Sequence, residues 1–101
     1  MIVISGFIEI NPKDIDAARA ATLAMMTESG KEEGCIRYRF YQDVEQAHLF
    51  HVYEEWESGA HLKAHAESAH MAVFRGEMGK LDVVSRDVKM IKVDPDGWKP
   101  L

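Results

Sequence analysis

The first ten residues of the chain, MIVISGFIEI, have the composition of a β-strand and carry apolar side chains at both odd and even positions. Successive side chains of a strand point to opposite faces of its sheet, so a strand of this kind needs a cover on both faces. A chain of 101 residues buries only about two-thirds of its unfolded surface. Its single modest core therefore covers one face of such a sheet, and the other face needs a different cover.

The region after the first strand has the markers of a helix. Asn11 suits an N-cap position and Pro12 suits the first helical position. Apolar side chains then recur every three or four residues as far as Ser29, which is the spacing of one helix face. Either Gly30 or Gly34 supplies the left-handed residue that commonly ends a helix.

Two segments of period-two alternation follow, Cys35–Asp43 and His48–Trp56, and the short polar turn between them predicts a hairpin. The first segment places three apolar side chains on one side of the strand: Ile36, Tyr38 and Phe40. A second helical region comes next, with Ser58 as its N-cap and a joint where Ser68 caps a fresh segment. A last strand is expected from about Val83 to Val93.

The resulting order β-α-β-β-α-β predicts an α+β fold of the ferredoxin-like, split βαβ type, with both helices on one face of an antiparallel four-stranded sheet. Residues 1–93 form this domain, and residues 94–101 form a C-terminal tail with too many helix- and strand-breaking residues for an element. The bare face of the sheet would expose a large apolar patch, which monomers rarely tolerate. A face-to-face homodimer is therefore expected.

Composition excludes several classes of partner. Seventeen acidic residues against twelve Lys and Arg give a net charge of -5, which leaves few clustered cations for a nucleic-acid contact. The apolar runs are far shorter than the ~20 residues of a membrane span, and the chain opens without a secretory leader. A single cysteine, Cys35, excludes an internal disulfide. We expect a cytoplasmic protein with no nucleic-acid or membrane partner.

Five histidines are the groups most suited to chemistry: His48, His51, His61, His65 and His70. His65 and His70 lie on the apolar stripes of their helical segments and are predicted to point towards the sheet. His70 lies next to the predicted Ser68 cap. The positive end of the helix dipole there favours a neutral imidazole ring, which is available as a base. The alternative is a pair of core histidines that bond backbone carbonyls or tyrosine hydroxyls.

No cofactor site is predicted. His61 and His65 are four residues apart, so both rings reach the same side of a helix, but no third ligand is placed beside them and a solvated helix face explains the pair as well. The chain has no phosphate-binding glycine loop and no nucleophile elbow, which removes support for a nucleotide cofactor or for serine hydrolysis.

The predicted hairpin carries a second set of candidate groups. Tyr38, Tyr53, Glu54 and Trp56 would place hydroxyl, carboxylate and indole groups at the boundary between sheet and helices. Core packing explains these side chains equally well, and the same holds for Phe74 on the apolar stripe of the last helical segment.

Three motifs resemble the antibiotic biosynthesis monooxygenase domain family: Gly34-Cys35-x-x-Tyr38, then Phe50-x-x-x-Glu54-x-Trp56-x-Ser58, then Leu62-x-x-His65-x-x-x-x-His70-x-x-x-Phe74. The resemblance covers residues 1 to about 93 and is nearest to the small bacterial quinol monooxygenase type. It implies a dimeric α+β barrel and oxygenation of an electron-rich phenol or quinol by O₂ without flavin, metal or haem. It implies His65 or His70 as the base and six substrate contacts: Ser5, Tyr38, Tyr53, Glu54, Trp56 and Phe74.

Family members that degrade haem differ from this sequence at two positions. They carry a tryptophan where this chain has His65 and a haem-ligating histidine where it has Arg75, so haem is not predicted. Other relatives are isomerases or have no demonstrated activity, and a fold alone does not settle a reaction. Two alternatives therefore stay open: proton transfer on a small carbonyl metabolite by the same histidines, and a non-catalytic dimeric module that binds a small molecule.

Overall fold

The structure, a computed structural model that describes residues 1–101, contains one four-stranded sheet in the order β2-β3-β1-β4. Every neighbouring pair of strands is antiparallel. The strands are β1 (Ile2–Ile10), β2 (Cys35–Gln42), β3 (Leu49–Trp56) and β4 (Val83–Lys92). This is the ferredoxin-like α+β arrangement, so the predicted fold class is confirmed.

Three helices pack on one face of the sheet: α1 (Ile15–Ser29), α2 (Gly59–Ala66) and α3 (Ala69–Met78). None of them is long and apolar enough to cross a membrane. Asn11 caps a short 3₁₀ turn ahead of α1. The joint predicted in the second helical region is confirmed, because Ser58 caps α2 and Ser68 caps α3 through their side-chain oxygens.

The end of α1 differs in part from the prediction. Gly30 keeps a right-handed backbone with φ of -63°, whereas Gly34 has φ of +79° and is the left-handed residue. Gly34 also lies against His61, since a Cβ added at this glycine would collide with the imidazole ring. A glycine at this position lets the α1–β2 loop turn into β2 and pack closely on α2.

The main core lies between the helices and one face of the sheet. Its buried residues are Ile2, Met25, Tyr38, Phe40, Val52 and Trp56. At the start of β2 the pairing register shifts between Cys35 and Arg37. Because of this irregularity the Ile36 side chain points away from the core and is 52% exposed. The expectation that Ile36 shares a face with Tyr38 and Phe40 is therefore wrong, because a bulge resets the alternation.

The opposite face of the sheet carries no helix, and we call it the helix-free face. Its register positions combine apolar residues with charged and polar ones: Val3, Phe7, Leu49, Tyr53 and Ile91 with Ser5, Arg37, Arg39, Glu55, Asp87 and Lys89. The continuous apolar patch expected there is thus broken up by charged side chains.

Candidate active site

The carboxylate of Glu32 holds two histidines together. Its Oε2 atom lies 2.6 Å from Nδ1 of His65 and 2.9 Å from Nε2 of His70. A carboxylate only accepts hydrogen bonds, so each of these ring nitrogens donates. Glu32 comes from the α1–β2 loop, His65 from the last turn of α2 and His70 from the start of α3, so three separate segments meet at one oxygen atom.

The break between α2 and α3 makes this meeting possible. In one continuous helix, two residues five positions apart would differ by about 140° around the axis and would face different ways. Here Ser68 interrupts the helix: its hydroxyl donates to the carbonyl of His65 at 2.7 Å and accepts from the backbone N–H of Met71 at 3.2 Å. The rings of His65 and His70 are consequently 5.9 Å apart between centroids.

His65 is the more buried of the two histidines, with 3% of its surface exposed. Its ring packs on the indole of Trp56 at a centroid distance of 4.7 Å and on the phenol ring of Tyr38 at 5.3 Å. Because Nδ1 donates to Glu32, the neutral ring has its lone pair on Nε2. Nε2 makes no hydrogen bond to another residue, and the His65 side chain lines the adjoining cavity.

That cavity is a cleft of about 260 Å³ between the helices and the β1–β4 side of the sheet. His65 and Glu54 line it together with apolar side chains from four elements: Ile4, Leu62, Ala66, Met71, Val88 and Met90. Arg86 is the cation at its wall; Lys89 also borders the cleft, but its ammonium group lies 3.4 Å from Asp87 on the helix-free face. An adjoining chamber of about 390 Å³ shares Met71 and Arg86 with the cleft and is also lined by Phe74.

Glu54 is a buried carboxyl group inside this mostly apolar cleft. It is 7% exposed, and its Oε1 atom accepts a hydrogen bond from Nε1 of Trp56 at 2.9 Å. Desolvation raises the pKa of Glu54 above its ordinary value, although the Trp56 hydrogen bond and the nearby His65 act in the opposite direction. A buried carboxyl with a raised pKa that lines a cleft is a frequent mark of a functional site.

Two neighbouring groups stay neutral. Burial, with Glu54 as the next cause, raises the pKa of the Tyr38 hydroxyl far above its ordinary value. Burial followed by the charges of Glu32 and Glu54 raises the pKa of the Cys35 thiol to about 11. A thiol of this kind is a poor nucleophile at neutral pH, which agrees with the packed position of Cys35 against the core.

The structure does not bring all the predicted site residues together. Ser5 and Tyr53 pair with each other across β1 and β3 on the helix-free face, where the guanidinium of Arg37 lies 5.9 Å from the Tyr53 ring centroid. They are therefore on the opposite side of the sheet from His65. His70 converges with His65 on Glu32 but lines a different cavity, a groove of about 250 Å³ between α1 and α3 that Phe74 also borders.

Glu32 is the functional residue that sequence reasoning missed. It is one of seventeen acidic residues, and it lies in a loop that has no periodicity. His61 and His65, whose spacing alone would allow a shared metal ion, do not converge, because Nδ1 of His61 is 2.8 Å from the Ser58 hydroxyl and Nδ1 of His65 bonds Glu32. The one available indication was the position of Glu32 two residues before Gly34, whose left-handed turn sets the path of the loop.

Residues 1–77 match the family model described as "Antibiotic biosynthesis monooxygenase". The chain belongs to the antibiotic biosynthesis monooxygenase family. The matched range includes the Glu32–His65–His70 cluster and ends within α3, so most of the domain predicted over residues 1–93 falls inside it.

Two relatives are more than a quarter identical to this chain over the residues that align. "Putative monooxygenase YcnE" of Bacillus subtilis is 28% identical over 74 residues, which is 73% of this chain and 78% of that protein. The Synechocystis protein sll1783 is 27% identical over 92 residues, and this chain spans 63% of its length. A solved structure from Nitrosomonas europaea superimposes with a TM-score of 0.86 at 22% identity, covering 92% of this chain and 98% of that one, which shows a shared fold.

The raised pKa of Glu54 predicts a pH-dependent effect of the substitution Glu54→Gln. A folded-state pKa above the ordinary value of 4.5 means that the folded protein holds this proton more tightly than the unfolded chain, so Glu54 lowers stability as pH rises through its folded pKa. We therefore expect the free energy of unfolding of Glu54→Gln, relative to the wild type, to increase between about pH 4 and pH 7.5.

Urea unfolding at both pH values measures this change, and Glu57→Gln, at an exposed position, is the matched control with no such trend. An equal difference between Glu54→Gln and the wild type at the two pH values would contradict the burial of a titrating carboxyl in the cleft.

Proposed function

We propose that this protein is a cofactor-independent monooxygenase that oxidises a small phenol- or quinol-like aromatic compound with O₂. The observation that carries the proposal is the state of His65: Nδ1 is held by Glu32, Nε2 makes no hydrogen bond, and the side chain lines a mostly apolar cleft of about 260 Å³. Membership of the family supports a monooxygenase-like role.

The Glu32–His65 pair has the arrangement of a general base with its orienting group. The carboxylate fixes the tautomer that leaves Nε2 unprotonated, and it stabilises the imidazolium that forms when Nε2 takes a proton. In our proposal Nε2 removes the hydroxyl proton of the substrate. His70 acts as a positioning residue, since its second hydrogen bond to Oε2 holds Glu32 in place.

The deprotonated substrate then supplies the electrons for the reaction. It passes one electron to O₂, and the substrate radical and superoxide combine to form a carbon–oxygen bond. The imidazolium of His65 returns its proton to the peroxide, the O–O bond breaks as the same carbon loses its hydrogen, and water leaves. The substrate loses two hydrogens and gains one oxygen, and the second oxygen of O₂ becomes water, so the balance needs no external reductant.

The surroundings of His65 suit this chemistry. Six of the ten residues that line the cleft are apolar, and apolar surroundings strengthen the interactions of a bound anion. Arg86 at the wall of the cleft favours a substrate anion electrostatically. Trp56 fixes the Glu54 carboxyl on the cleft floor, and Phe74 in the adjoining chamber offers an aromatic surface against which a ring can pack.

A second candidate function rests on Glu54. Glu54 and His65 line the same cleft, and a carboxyl of raised pKa beside an imidazole suits the two proton transfers of an isomerase acting on a small carbonyl metabolite. Turnover under strictly anaerobic conditions distinguishes this reaction from oxygenation. Ligand binding without turnover in either atmosphere corresponds to the third alternative, a small-molecule-binding module.

The test of the leading proposal is oxygen consumption with a panel of small reduced quinols in chelator-treated, flavin-free buffer. We expect His65→Gln to lower kcat by roughly 10²- to 10⁴-fold, the usual contribution of a general base, and Glu32→Gln to lower it by a smaller factor. His48→Gln is the matched control with wild-type turnover, because His48 pairs with Glu9 and does not line the cleft.

Urea unfolding of each variant separates loss of chemistry from loss of fold. Wild-type turnover by a folded His65→Gln variant, or no oxygen consumption above the uncatalysed rate by the wild type with any quinol of the panel, would overturn the proposal.

We also propose that the protein is a homodimer that associates through the helix-free face. Tyr41 is 42% exposed and Ile91 is 50% exposed, and both lie at register positions of that face. Burial of these two side chains against a second copy would add apolar contacts among the charged residues of the helix-free face. Many protein interfaces combine apolar and charged residues in this way.

Sedimentation equilibrium tests the homodimer. We expect a dimer for the wild type and a shift towards monomer for Ile91→Lys, which places a charge in the interface. Val73→Lys, on the exposed surface of α3 with 64% of Val73 exposed, is the control that stays dimeric. A monomeric wild type, or a dimer unaffected by Ile91→Lys, would contradict this interface.

A further inference from the structure

We propose that Glu32, His65 and His70 form a binding site for one divalent transition-metal ion of the Zn²⁺ class. The three residues offer one carboxylate oxygen and two imidazole nitrogens that all lie within 4.8 Å of one another. Both nitrogens already point at the same carboxylate oxygen. Small movements of three side chains therefore suffice to place the three atoms around one ion.

The chemistry of these ligands selects the class of ion. Two imidazoles with one carboxylate suit Zn²⁺, Co²⁺, Ni²⁺ and Cu²⁺, whereas Mg²⁺ and Ca²⁺ prefer sites made of oxygen atoms alone. Three protein ligands leave at least one coordination position for water or another small ligand. We expect Mg²⁺ to compete poorly with Zn²⁺ at this site.

The position of the cluster gives it both rigidity and access. The His65 side chain is 4% exposed and is held between aromatic rings, whereas the side chains of Glu32 and His70 are 17% and 23% exposed. His70 borders the groove between α1 and α3, together with the carboxylates of Glu28 and Glu77. The groove reaches the His70 side of the cluster, so it is the route by which an ion would enter.

Metal binding has a consequence for the base, and this consequence rests on the proposed function. An ion at Nδ1 of His65 binds the lone pair of that nitrogen, so the single proton of the neutral ring moves from Nδ1 to Nε2. Nε2 then carries a proton and no longer accepts one from a substrate. Zn²⁺ is thus expected to inhibit the oxygenase.

The test is direct binding to the full-length protein after treatment with a chelator. Calorimetric titration with Zn²⁺ is expected to give one ion per chain, and Co²⁺ is expected to give visible absorption bands of a low-coordinate site. His70→Ala and Glu32→Gln each lose a ligand, so each is expected to weaken Zn²⁺ binding at least tenfold, in line with the effect of disturbing metal-site residues.

Two controls make the outcome specific. His48→Ala and His51→Ala remove histidines that do not belong to the cluster and that pair with Glu9 and Asp43 instead, so both variants are expected to keep wild-type affinity. Absence of Zn²⁺ binding, or equal affinity in the wild type and a folded His70→Ala variant, would overturn the site.

The binding measurement is independent of turnover, so it separates this inference from the proposed function. Zn²⁺ binding by a protein that oxidises no quinol would leave the site standing and remove the oxygenase. Oxygenase activity in a protein that binds no Zn²⁺ would do the reverse. If Zn²⁺ binds at the cluster and the oxygenase keeps its full rate, the inhibition that we infer is wrong.

Discussion

The shared hydrogen-bond acceptor Oε2 of Glu32 is the contact on which the site depends. It fixes the tautomer of His65, and it joins the α1–β2 loop to the α2–α3 pair at 2.6 and 2.9 Å. Removal of this carboxylate would leave two ring nitrogens without their acceptor in a partly buried place, and an unsatisfied buried polar group costs about 1–3 kcal/mol. Orientation of the base and local stability thus come from one group.

Two small residues allow that contact. Gly34 adopts a left-handed backbone and lies against the ring of His61, which packs the loop bearing Glu32 onto α2. Ser68 interrupts the helix between the two histidines and satisfies the backbone groups that the interruption frees. Neither residue takes part in the proposed chemistry, yet each sets the distance between groups that do.

The sequence predicts the elements better than it predicts the site. The order of strands, the two serine caps and the buried position of His65 follow from local patterns, because capping and periodicity act over a few residues. The bulge at Ile36, the polar character of the helix-free face and the choice of Glu32 depend on the register and loop path of the folded chain. The same holds for Ser5, because the side of the sheet on which it lies is set by the pairing of β1 with β3.

The central claim is that His65 presents an unprotonated Nε2 to the cleft while Nδ1 donates to Glu32. Long-range ¹H–¹⁵N NMR of the imidazole rings in the chelator-treated protein at neutral pH reports the protonation of each nitrogen directly, with His65→Gln to assign the resonance. We predict the Nδ1–H tautomer, with Nε2 at the chemical shift of an unprotonated nitrogen. A ring that carries its proton on Nε2, or one that is doubly protonated, would contradict the account.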